Sequence, residues 1–221
     1  MALLIYGLDT EEVGSGRSWR DTLAEQLPDL EVRLFPDVGD TSEITYLAFM
    51  RPDFDEIPLL PNLRAMFSRS AGVEAFINHP RLPKAPLGKI EPAGGDPMMT
   101  EYVIMHVLRL HREMPRYQEA QANREWLRRP IVRPEQRRIG FLGLGLMAKA
   151  PALILKSLGF PVSAWVRNLR PAPEIPIFYG PDKLERFLRQ TDIVVCLLPL
   201  TRETEGILCA RTFAMMRGAV W

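Results

Sequence analysis

A chain of 221 residues with 47% hydrophobic and 25% charged residues has the composition of an ordinary globular protein with one large or two small domains. Its 28 basic and 27 acidic residues leave a formal net charge of +1, which argues against nucleic acid or an anionic membrane as a partner. The longest uncharged run near the C-terminus, 193–201, is too short to span a bilayer, so we expect no membrane association.

The first six residues are apolar, contain no basic residue and are soon followed by acidic residues. This pattern favours a first strand over a signal peptide. Cys196 and Cys209, the two cysteines, lie in or near apolar runs and are too few for a disulfide framework. We therefore expect reduced thiols and a cytoplasmic protein.

The first half of the chain alternates short apolar runs with helical segments, which is typical of a parallel α/β sheet. We predict strands over 2–6, 31–35, 44–50 and 62–67, a helix over 18–26 and a short helix over 73–78. The segment 82–97 is rich in proline and glycine and is predicted to be a loop.

A long helical segment, 99–114, follows, and its hydrophobic residues cover much of its circumference, which predicts a helix buried between two domains. After an irregular basic stretch, the same α/β alternation returns. We predict strands over 138–142, 162–166, 177–178 and 193–198, with helices over 146–158 and 182–190. The domain boundary is therefore placed at the long helix, with one domain over 1–98 and a second over 99–221.

The most informative motif is the glycine turn that joins the first strand of the second half to the helix after it. Gly143 permits a tight turn, and Gly145 lets the backbone approach a pyrophosphate without a Cβ in the way. Ala148 is small where helix and strand pack closely. The amides around Leu146 and Met147 are then available to phosphate oxygens. The turn predicts a nucleotide site, with an ordinary β–α turn as the alternative.

The type of coenzyme is indicated by the residue at the end of the second strand of this half. An acidic side chain there would bond the ribose hydroxyls of NAD, whereas a guanidinium pairs well with a 2′-phosphate. The residue is Arg167. It favours NADPH over NADH as the coenzyme, and a solvated surface arginine is the alternative interpretation.

Several segments together resemble the D-isomer-specific 2-hydroxyacid dehydrogenases, and within that family most closely the glyoxylate/hydroxypyruvate reductases. The resemblance covers essentially the whole chain and is carried by LRAMFSRSAGV over 63–73, MTEYV over 99–103, IGFLGLG over 139–145, WVR over 165–167 and LLPLTRETEG over 197–206. It implies a flavodoxin-like substrate domain followed by a Rossmann coenzyme domain with a doubly wound parallel sheet, which is incomplete in this chain.

The resemblance also implies a role for two loops. Four consecutive residues would offer backbone amides to a substrate carboxylate, as glycine-containing turns can do, with a plain turn as the alternative: Ser70, Ala71, Gly72 and Val73. Three residues would line the adenosine side of the coenzyme, beyond the carboxyl end of a parallel strand: Leu198, Pro199 and Thr204. A short-chain or 6-phosphogluconate-type enzyme would explain the glycine turn, but it would not explain the N-terminal α/β domain.

By resemblance the chain is an NAD(P)H-dependent reductase of a small 2-oxoacid, glyoxylate or hydroxypyruvate. The family transfers hydride with an arginine, a glutamate and a histidine, and no residue of this chain matches any of them. His79, His106 and His111 do not substitute, so we assign no catalytic residue and no metal site. We expect a truncated dehydrogenase. The alternative is an inactive remnant that at most binds nucleotide or pairs with a full-length relative.

The helical region over 99–117 and the arm around Trp126 resemble the dimer interface of the family. A homodimer through this region is therefore the candidate assembly. A small-molecule 2-oxoacid is the other partner that the resemblance implies.

Overall fold

The computed structural model describes residues 1–7, 18–90, 95–169 and 172–216, and at Trp19 the backbone alone. The chain divides into two compact units, Met1–Glu91 and Pro92–Trp221. Each unit is built on its own parallel sheet.

The sheet of the first unit has five parallel strands. The elements of this unit are β1 Ala2–Tyr6, α1 Trp19–Gln26, β2 Glu31–Leu34, β3 Ile44–Phe49, β4 Ala65–Ser68 and β5 Leu87–Lys89. The strand order is β2-β1-β3-β4-β5, which is the flavodoxin-like order. The predicted flavodoxin-like fold of this half is confirmed.

The predicted helix over 73–78 is wrong. The structure has one turn there, in which the amides of Phe76 and Ile77 both donate to the carbonyl oxygen of Val73, at 3.1 and 2.9 Å. Pro80 lies two residues past the end of the predicted helix, and the residue before a proline is disfavoured in the helical region. The turn therefore does not continue into a helix.

Strand β5 lies inside the segment that the sequence predicts to be a loop. It is three residues long and lies between Pro86 and Pro92, so it shows no alternation that a pattern could detect. Its place at the sheet edge depends on bonds to β4, where the amide of Met66 donates to Pro86 at 2.8 Å and the amide of Ile90 donates to Ser68 at 3.1 Å.

The core of the first unit lies against its central strands. Every residue of β1 is buried. Phe49 at the end of β3 contacts Phe54 and Phe76 edge to face, with ring centroids 5.5 and 5.2 Å apart. Such aromatic contacts add to the free energy of burial. They hold the sheet at the carboxyl ends of its central strands. The loop after β4 begins at the same edge of the sheet.

The sheet of the second unit has four parallel strands within the described residues. The elements are α2 Pro97–His111, α3 Met114–Ala122, β6 Ile139–Leu142, α4 Leu146–Ser157, β7 Val162–Val166, β8 Ile177–Tyr179, α5 Leu184–Arg189, β9 Ile193–Cys196 and α6 Ala210–Ala214. The order β8-β7-β6-β9 matches the first four strands of the doubly wound 3-2-1-4-5-6 sheet. The Rossmann prediction is confirmed. Within the described residues no helix is long and apolar enough to cross a membrane.

The long helix predicted over 99–114 corresponds to α2, which ends three residues earlier, at His111, and a second helix, α3, begins at Met114. Glu113 between them has a φ of +53°, and Pro115 lies in the first turn of α3. Proline has no amide to donate to the carbonyl of His111, so one continuous helix would lack that bond. The chain therefore breaks after α2 and restarts in a new direction.

Only one face of α2 is buried, contrary to the expectation of burial all round. Thr100, Val103, Val107 and His111 are its buried residues, and their spacing of three and four places them on one face. Three apolar side chains on the rest of its surface are exposed: Met98, Tyr102 and Met105. An apolar pattern around a helix cannot distinguish burial within the chain from burial against another copy.

A salt bridge fixes the amino ends of β6 and β9. The guanidinium of Arg138 donates to both carboxylate oxygens of Asp192, at 3.0 and 2.6 Å, and its amide donates to the same group at 2.7 Å. Burial by itself raises the pKa of Asp192, but these bonds and the positive charges of Arg138 and Arg137 outweigh it and hold that pKa below its usual range. The pair fixes the register in which Leu142 lies opposite Cys196.

Candidate nucleotide site

The order of the second sheet creates a crevice at the carboxyl ends of β6 and β9. The chain leaves β6 to form β7 on one side, and β9 lies on the other side of β6. In open α/β sheets ligands bind outside the carboxyl ends of the strands at such a switch point. Two segments meet there: the glycine turn after β6 and the loop 197–206 after β9.

Gly143 follows β6 directly and has a φ of +86°, a conformation that other residues rarely adopt. Its amide donates to the carbonyl oxygen of Trp165 in β7 at 2.8 Å. A Cβ at this position would lie 2.9 Å from Cδ2 of Leu198. The turn therefore needs glycine for its backbone conformation and for the close approach of Leu198, so these two predicted site residues are in contact.

Gly145 is the N-cap of α4 and provides no side-chain cap. A Cβ here would have no heavy atom within 4 Å, so the backbone faces open space. The carbonyl of Gly145 accepts from Ala148 and Lys149 at 3.1 Å each. The amides of Leu146 and Met147, in the first turn, have no intrahelical acceptor. Uncapped first-turn amides at an open glycine are suited to an anion such as a pyrophosphate.

Pro151 lies inside α4 and is buried, and the helix nonetheless begins at Leu146 and continues to Ser157. Proline has no amide, so the carbonyl of Met147 lacks its bond four residues on. The group that lacks a partner is a carbonyl oxygen and not an amide. The donors of the first turn are therefore unaffected.

Arg167 comes directly after β7 and is exposed. Its guanidinium forms an ion pair with Glu203, and the two side chains are 57% and 66% exposed. Glu203 lies in the loop after β9, and sequence reasoning did not select it. Its position is the sequence feature that could have indicated it, since the loop 197–206 and Arg167 both follow the carboxyl ends of strands in one parallel sheet.

The loop after β9 is held by two threonines. The amide of Thr201 donates to Oγ1 of Thr204 at 2.8 Å, and that hydroxyl donates to the carbonyl of Pro199 at 2.5 Å. The amides of Thr204 and Glu205 donate to the carbonyl of Thr201, at 3.1 and 2.8 Å. The structure thus brings the predicted residues Pro199 and Thr204 together. The hydroxyl of Thr204 serves first to hold the loop.

The proposed substrate loop lies in the first unit, after β4. The amide of Ser70 donates to Oγ of Ser68 at 3.1 Å, and that hydroxyl donates back to the carbonyl of Ser70 at 3.2 Å. The amide of Ser70 is therefore engaged within the loop. Ala71 and Gly72 are exposed and Val73 is half-buried.

A carboxylate lies next to this loop. A Cβ at position 72 would lie 2.5 Å from Oε2 of Glu74. Oε2 is the far end of a flexible side chain and Gly72 has no positive φ, so this approach by itself does not require glycine at the position. An anionic ligand at the amides of the loop would lie near this negative charge.

Two of the three histidines have contacts that explain them. Nδ1 of His79 accepts from the amide of Arg81 at 3.2 Å, within a turn. The ring of His106 contacts that of Tyr102 one turn earlier in α2, with centroids 4.3 Å apart and the ring planes inclined by 53°. Neither contact needs a catalytic role. Across the described part of the chain, no cluster of three or more histidine, cysteine or acidic residues could hold a metal ion.

The third histidine, His111, is buried at the end of α2 and contacts Phe160 edge to face at a centroid distance of 4.8 Å. Burial lowers its pKa, and the positive charges of Arg137 and Arg112 lower it further. A histidine held neutral in an apolar contact is a packing residue.

A family model described as "D-isomer specific 2-hydroxyacid dehydrogenase, NAD binding domain" matches residues 104–221. The chain belongs to this family. Among curated relatives, a glyoxylate/hydroxypyruvate reductase A of Escherichia fergusonii is 33% identical over 196 residues, which are 86% of this chain and 62% of the relative. One from Yersinia enterocolitica is 31% identical over 90% of this chain and 66% of the relative. The chain thus spans less than two thirds of the length of these reductases.

Solved structures of family members have the same fold. A D-isomer specific 2-hydroxyacid dehydrogenase from Xanthobacter autotrophicus, in complex with NADPH and MES, is 32% identical with a TM-score of 0.82 and covers 98% of this chain and 70% of its own. An NADPH-dependent glyoxylate/hydroxypyruvate reductase from Sinorhizobium meliloti, in complex with NADP and sulfate, is 28% identical with a TM-score of 0.83, covering 97% of this chain and 67% of its own. The family predicted from the sequence is confirmed.

Proposed function

We propose that this family member is by lineage an NADPH-dependent reductase of small 2-oxoacids, acting on glyoxylate or hydroxypyruvate. The observation that carries the proposal is the open glycine turn at the start of α4, with Arg167 at the end of the neighbouring strand β7. The names of the curated relatives and the NADPH and NADP complexes of two solved relatives support it.

In this proposal the chain binds the coenzyme with residues from three segments. The amides of Leu146 and Met147 hold the pyrophosphate, with Gly143 forming the tight turn and Gly145 giving the pyrophosphate access. Arg167 pairs with the 2′-phosphate. Three residues of the loop after β9 line the adenosine: Leu198, Pro199 and Thr204. When bound, NADPH supplies the hydride that reduces the 2-oxo carbon.

The substrate carboxylate is proposed to bind the amides of the loop after β4, formed by Ser70, Ala71, Gly72 and Val73. Ala71 and Gly72 are exposed residues, which supports this role. The amide of Ser70 has an internal acceptor, and Glu74 lies close by, so the loop would have to rearrange at both points to bind a carboxylate.

A second candidate function is nucleotide binding without turnover. It is favoured by the local contacts that occupy His79, His106 and His111. The two functions differ in one measurement, the oxidation of bound NADPH in the presence of glyoxylate or hydroxypyruvate. We expect the 221-residue polypeptide by itself to bind NADPH without oxidising it, since none of these histidines matches the acid of the family.

The first test of the proposal is the coenzyme preference, measured by calorimetric titration of the whole chain with NADPH and NADH. We expect NADPH to bind more tightly, and Arg167→Asp to reduce or reverse the preference. A charge-assisted contact contributes about 1.5–3 kcal/mol, so the change in the affinity ratio should be about ten-fold or more.

Arg186→Asp is the matched control, because Arg186 is an exposed arginine on α5 with no part in the proposed site. It should leave the affinity ratio unchanged. Equal affinities of the parent chain for NADPH and NADH would contradict the proposed coenzyme.

We also propose that the chain forms a homodimer through the 99–117 region. Met98, Tyr102 and Met105 on α2 are 76, 57 and 53% exposed, and Trp126 after α3 is 97% exposed. Met98, Tyr102 and Met105 are four and three positions apart, so they lie on one face of α2, and exposed apolar patches mark interaction sites on soluble proteins. A cytoplasmic location is part of the same proposal, supported by Cys196 and Cys209, which are both free and exposed.

A further inference from the structure

Glu203 occupies the guanidinium that the proposed function assigns to the 2′-phosphate of the coenzyme. We propose that Glu203 is a specificity-determining residue, an internal anion that competes with the 2′-phosphate for Arg167 and lowers the preference for NADPH over NADH. This inference rests on the proposed coenzyme site and adds to it the residue that sets the strength of the preference.

The backbone at Arg167 has a fixed position. The backbone just before it is held on two sides, since the carbonyl of Trp165 accepts from Gly143 at 2.8 Å and that of Val166 accepts from Gly180 at 3.1 Å. The indole of Trp165 also donates to the carbonyl of Gly180 at 2.8 Å. The backbone that carries the Arg167 side chain is thus held in place, and the side chain, 57% exposed, extends from it to Glu203.

The backbone at Glu203 is held in the same way. The bonds from Thr204 and Glu205 to the carbonyl of Thr201 close a turn around it, and the hydroxyl of Thr204 ties this turn to Pro199. Two anchored backbones therefore bring a guanidinium and a carboxylate together at the edge where the coenzyme is proposed to bind. The fold therefore places the two backbones within reach of each other, and the exposed side chains form the pair.

The two coenzymes differ chemically at the 2′ position of the adenosine ribose. A phosphate monoester carries a charge of about −1.5 to −2 near neutral pH, so it outcompetes a single carboxylate for the guanidinium. The exposed Arg167–Glu203 pair is weak enough to be exchanged. Glu203 then remains near the phosphate as a like charge. NADH carries a 2′-hydroxyl instead, which can donate to a carboxylate, as it does to the acidic residue of NAD-binding sheets.

Glu203 therefore penalises NADPH and not NADH. NAD-binding sheets have an acidic residue at the end of the second strand that bonds the ribose. In this chain the carboxylate of Glu203 has that role, and it comes from the loop after β9. Glu205, two residues further on, is also exposed and has no ion-pair partner within the described residues. It offers the same charge in the same loop without the contact to Arg167.

The test is calorimetric titration of the whole chain and its Glu203→Gln and Glu205→Gln variants with NADPH and NADH, repeated with 2′,5′-ADP and 5′-AMP to isolate the 2′-phosphate. We expect Glu203→Gln to raise the ratio of NADPH to NADH affinity by about two- to five-fold, the size of an exposed ion pair. Glu205→Gln should leave the ratio as in the parent. In an Arg167→Gln background, most of the gain from Glu203→Gln should disappear.

Two results would overturn the inference while leaving the coenzyme site intact: an unchanged ratio in Glu203→Gln, or an equal rise in Glu205→Gln, with Arg167→Gln still weakening NADPH. If the parent chain binds NADPH and NADH equally and Arg167→Gln has no effect, the proposed function itself fails. Thermal unfolding without nucleotide checks that each variant is folded, which we expect because both glutamates are exposed.

Discussion

Gly143 and Gly145 lie two positions apart in the turn before α4, and they meet different requirements. Gly143 is buried, has a positive φ and leaves room for Leu198, so its role is structural. Gly145 is exposed and has nothing beside it, so its role is to leave space for a ligand. Gly143 therefore contributes to the stability of the fold, and Gly145 contributes to ligand binding.

We expect Gly143→Ala to lower the free energy of unfolding by about 1–3 kcal/mol, the cost of a left-handed conformation at a residue with a Cβ. Gly145→Ala should leave stability nearly unchanged and weaken NADPH binding. Urea unfolding without nucleotide, followed by titration of the folded variants, measures both quantities. A Gly145→Ala variant that loses as much stability as Gly143→Ala would show that the assignment of roles is wrong.

The roles of the glycines could be predicted from the sequence because they depend on the strand before and the helix after, which the local pattern reveals. The pairing of Arg167 with Glu203 could not. It joins residues 36 positions apart on loops that follow β7 and β9, and these strands lie on opposite sides of β6. Contacts of this kind require the strand order and the fold of each loop.

At the scale of elements, the pair of Arg138 and Asp192 joins the amino ends of β6 and β9, while the candidate site lies at their carboxyl ends. Because β6 is four residues long, a shift at one end moves the other. The side chain of Asp192 is 14% exposed, so the carboxylate is shielded and depends on Arg138 for its partner. The salt bridge therefore supports the site from the far edge of the sheet.

We expect Asp192→Asn to destabilise the chain at neutral pH by about 1.5–3 kcal/mol, the contribution of hydrogen bonds to a charged group. The pKa of Asp192 is lower in the folded state than its usual 3.8, so its contribution is complete above that value and is lost as the pH falls below it. Urea unfolding at pH 7 and near pH 3 should thus show a difference between parent and variant that shrinks in acid.

Asp182→Asn is the control, since Asp182 pairs with Lys183 at the surface and is 70% exposed. It should change stability little at either pH. A difference for Asp192→Asn that persists unchanged into acid would mean that packing, and not charge, is what Asp192 contributes.

The elements that the sequence predicted well are those with a strong local signal. Strands β1, β3, β6 and β7 are apolar runs bounded by polar or turn residues, and their predicted bounds agree with the structure to within one or two residues. Strand β5 has only three residues, and its existence depends on β4. The break between α2 and α3 follows from Pro115, a signal that was present and was outweighed by the apolar pattern.

At the scale of the whole molecule, the two units repeat one construction, a parallel sheet whose strand order reverses beside a central strand. The exposed apolar side chains of α2 do not pack against either sheet. In the proposed homodimer this surface is covered by a second copy of the chain.

We expect the chain to sediment as a dimer and Met105→Glu to shift it to the monomer, since a charge would enter the interface and the burial of one methionine, about 1.5–3 kcal/mol, would be lost. The dissociation constant should rise at least ten-fold. Leu59→Glu is the control, because Leu59 is 86% exposed in the first unit. A parent chain that is monomeric at tens of micromolar, or a Leu59→Glu variant that dissociates equally, would contradict the proposed interface.

Trp165 is 6% exposed, and its indole donates to the carbonyl of Gly180. It therefore also provides an intrinsic fluorescence signal close to the glycine turn. The chain has four tryptophans, and of those whose side chains the structure describes Trp165 is buried and Trp126 is 97% exposed. Buried indoles emit at shorter wavelengths than hydrated ones, and the Trp165→Phe variant identifies the part of the emission that comes from Trp165. Reduced nicotinamide absorbs where indoles emit, whereas adenine nucleotides do not. We therefore expect NADPH to quench the short-wavelength emission, 2′,5′-ADP to leave it unchanged, and Trp165→Phe to abolish the quenching. The signal would report binding of the nicotinamide end of the coenzyme separately from binding of its adenosine end.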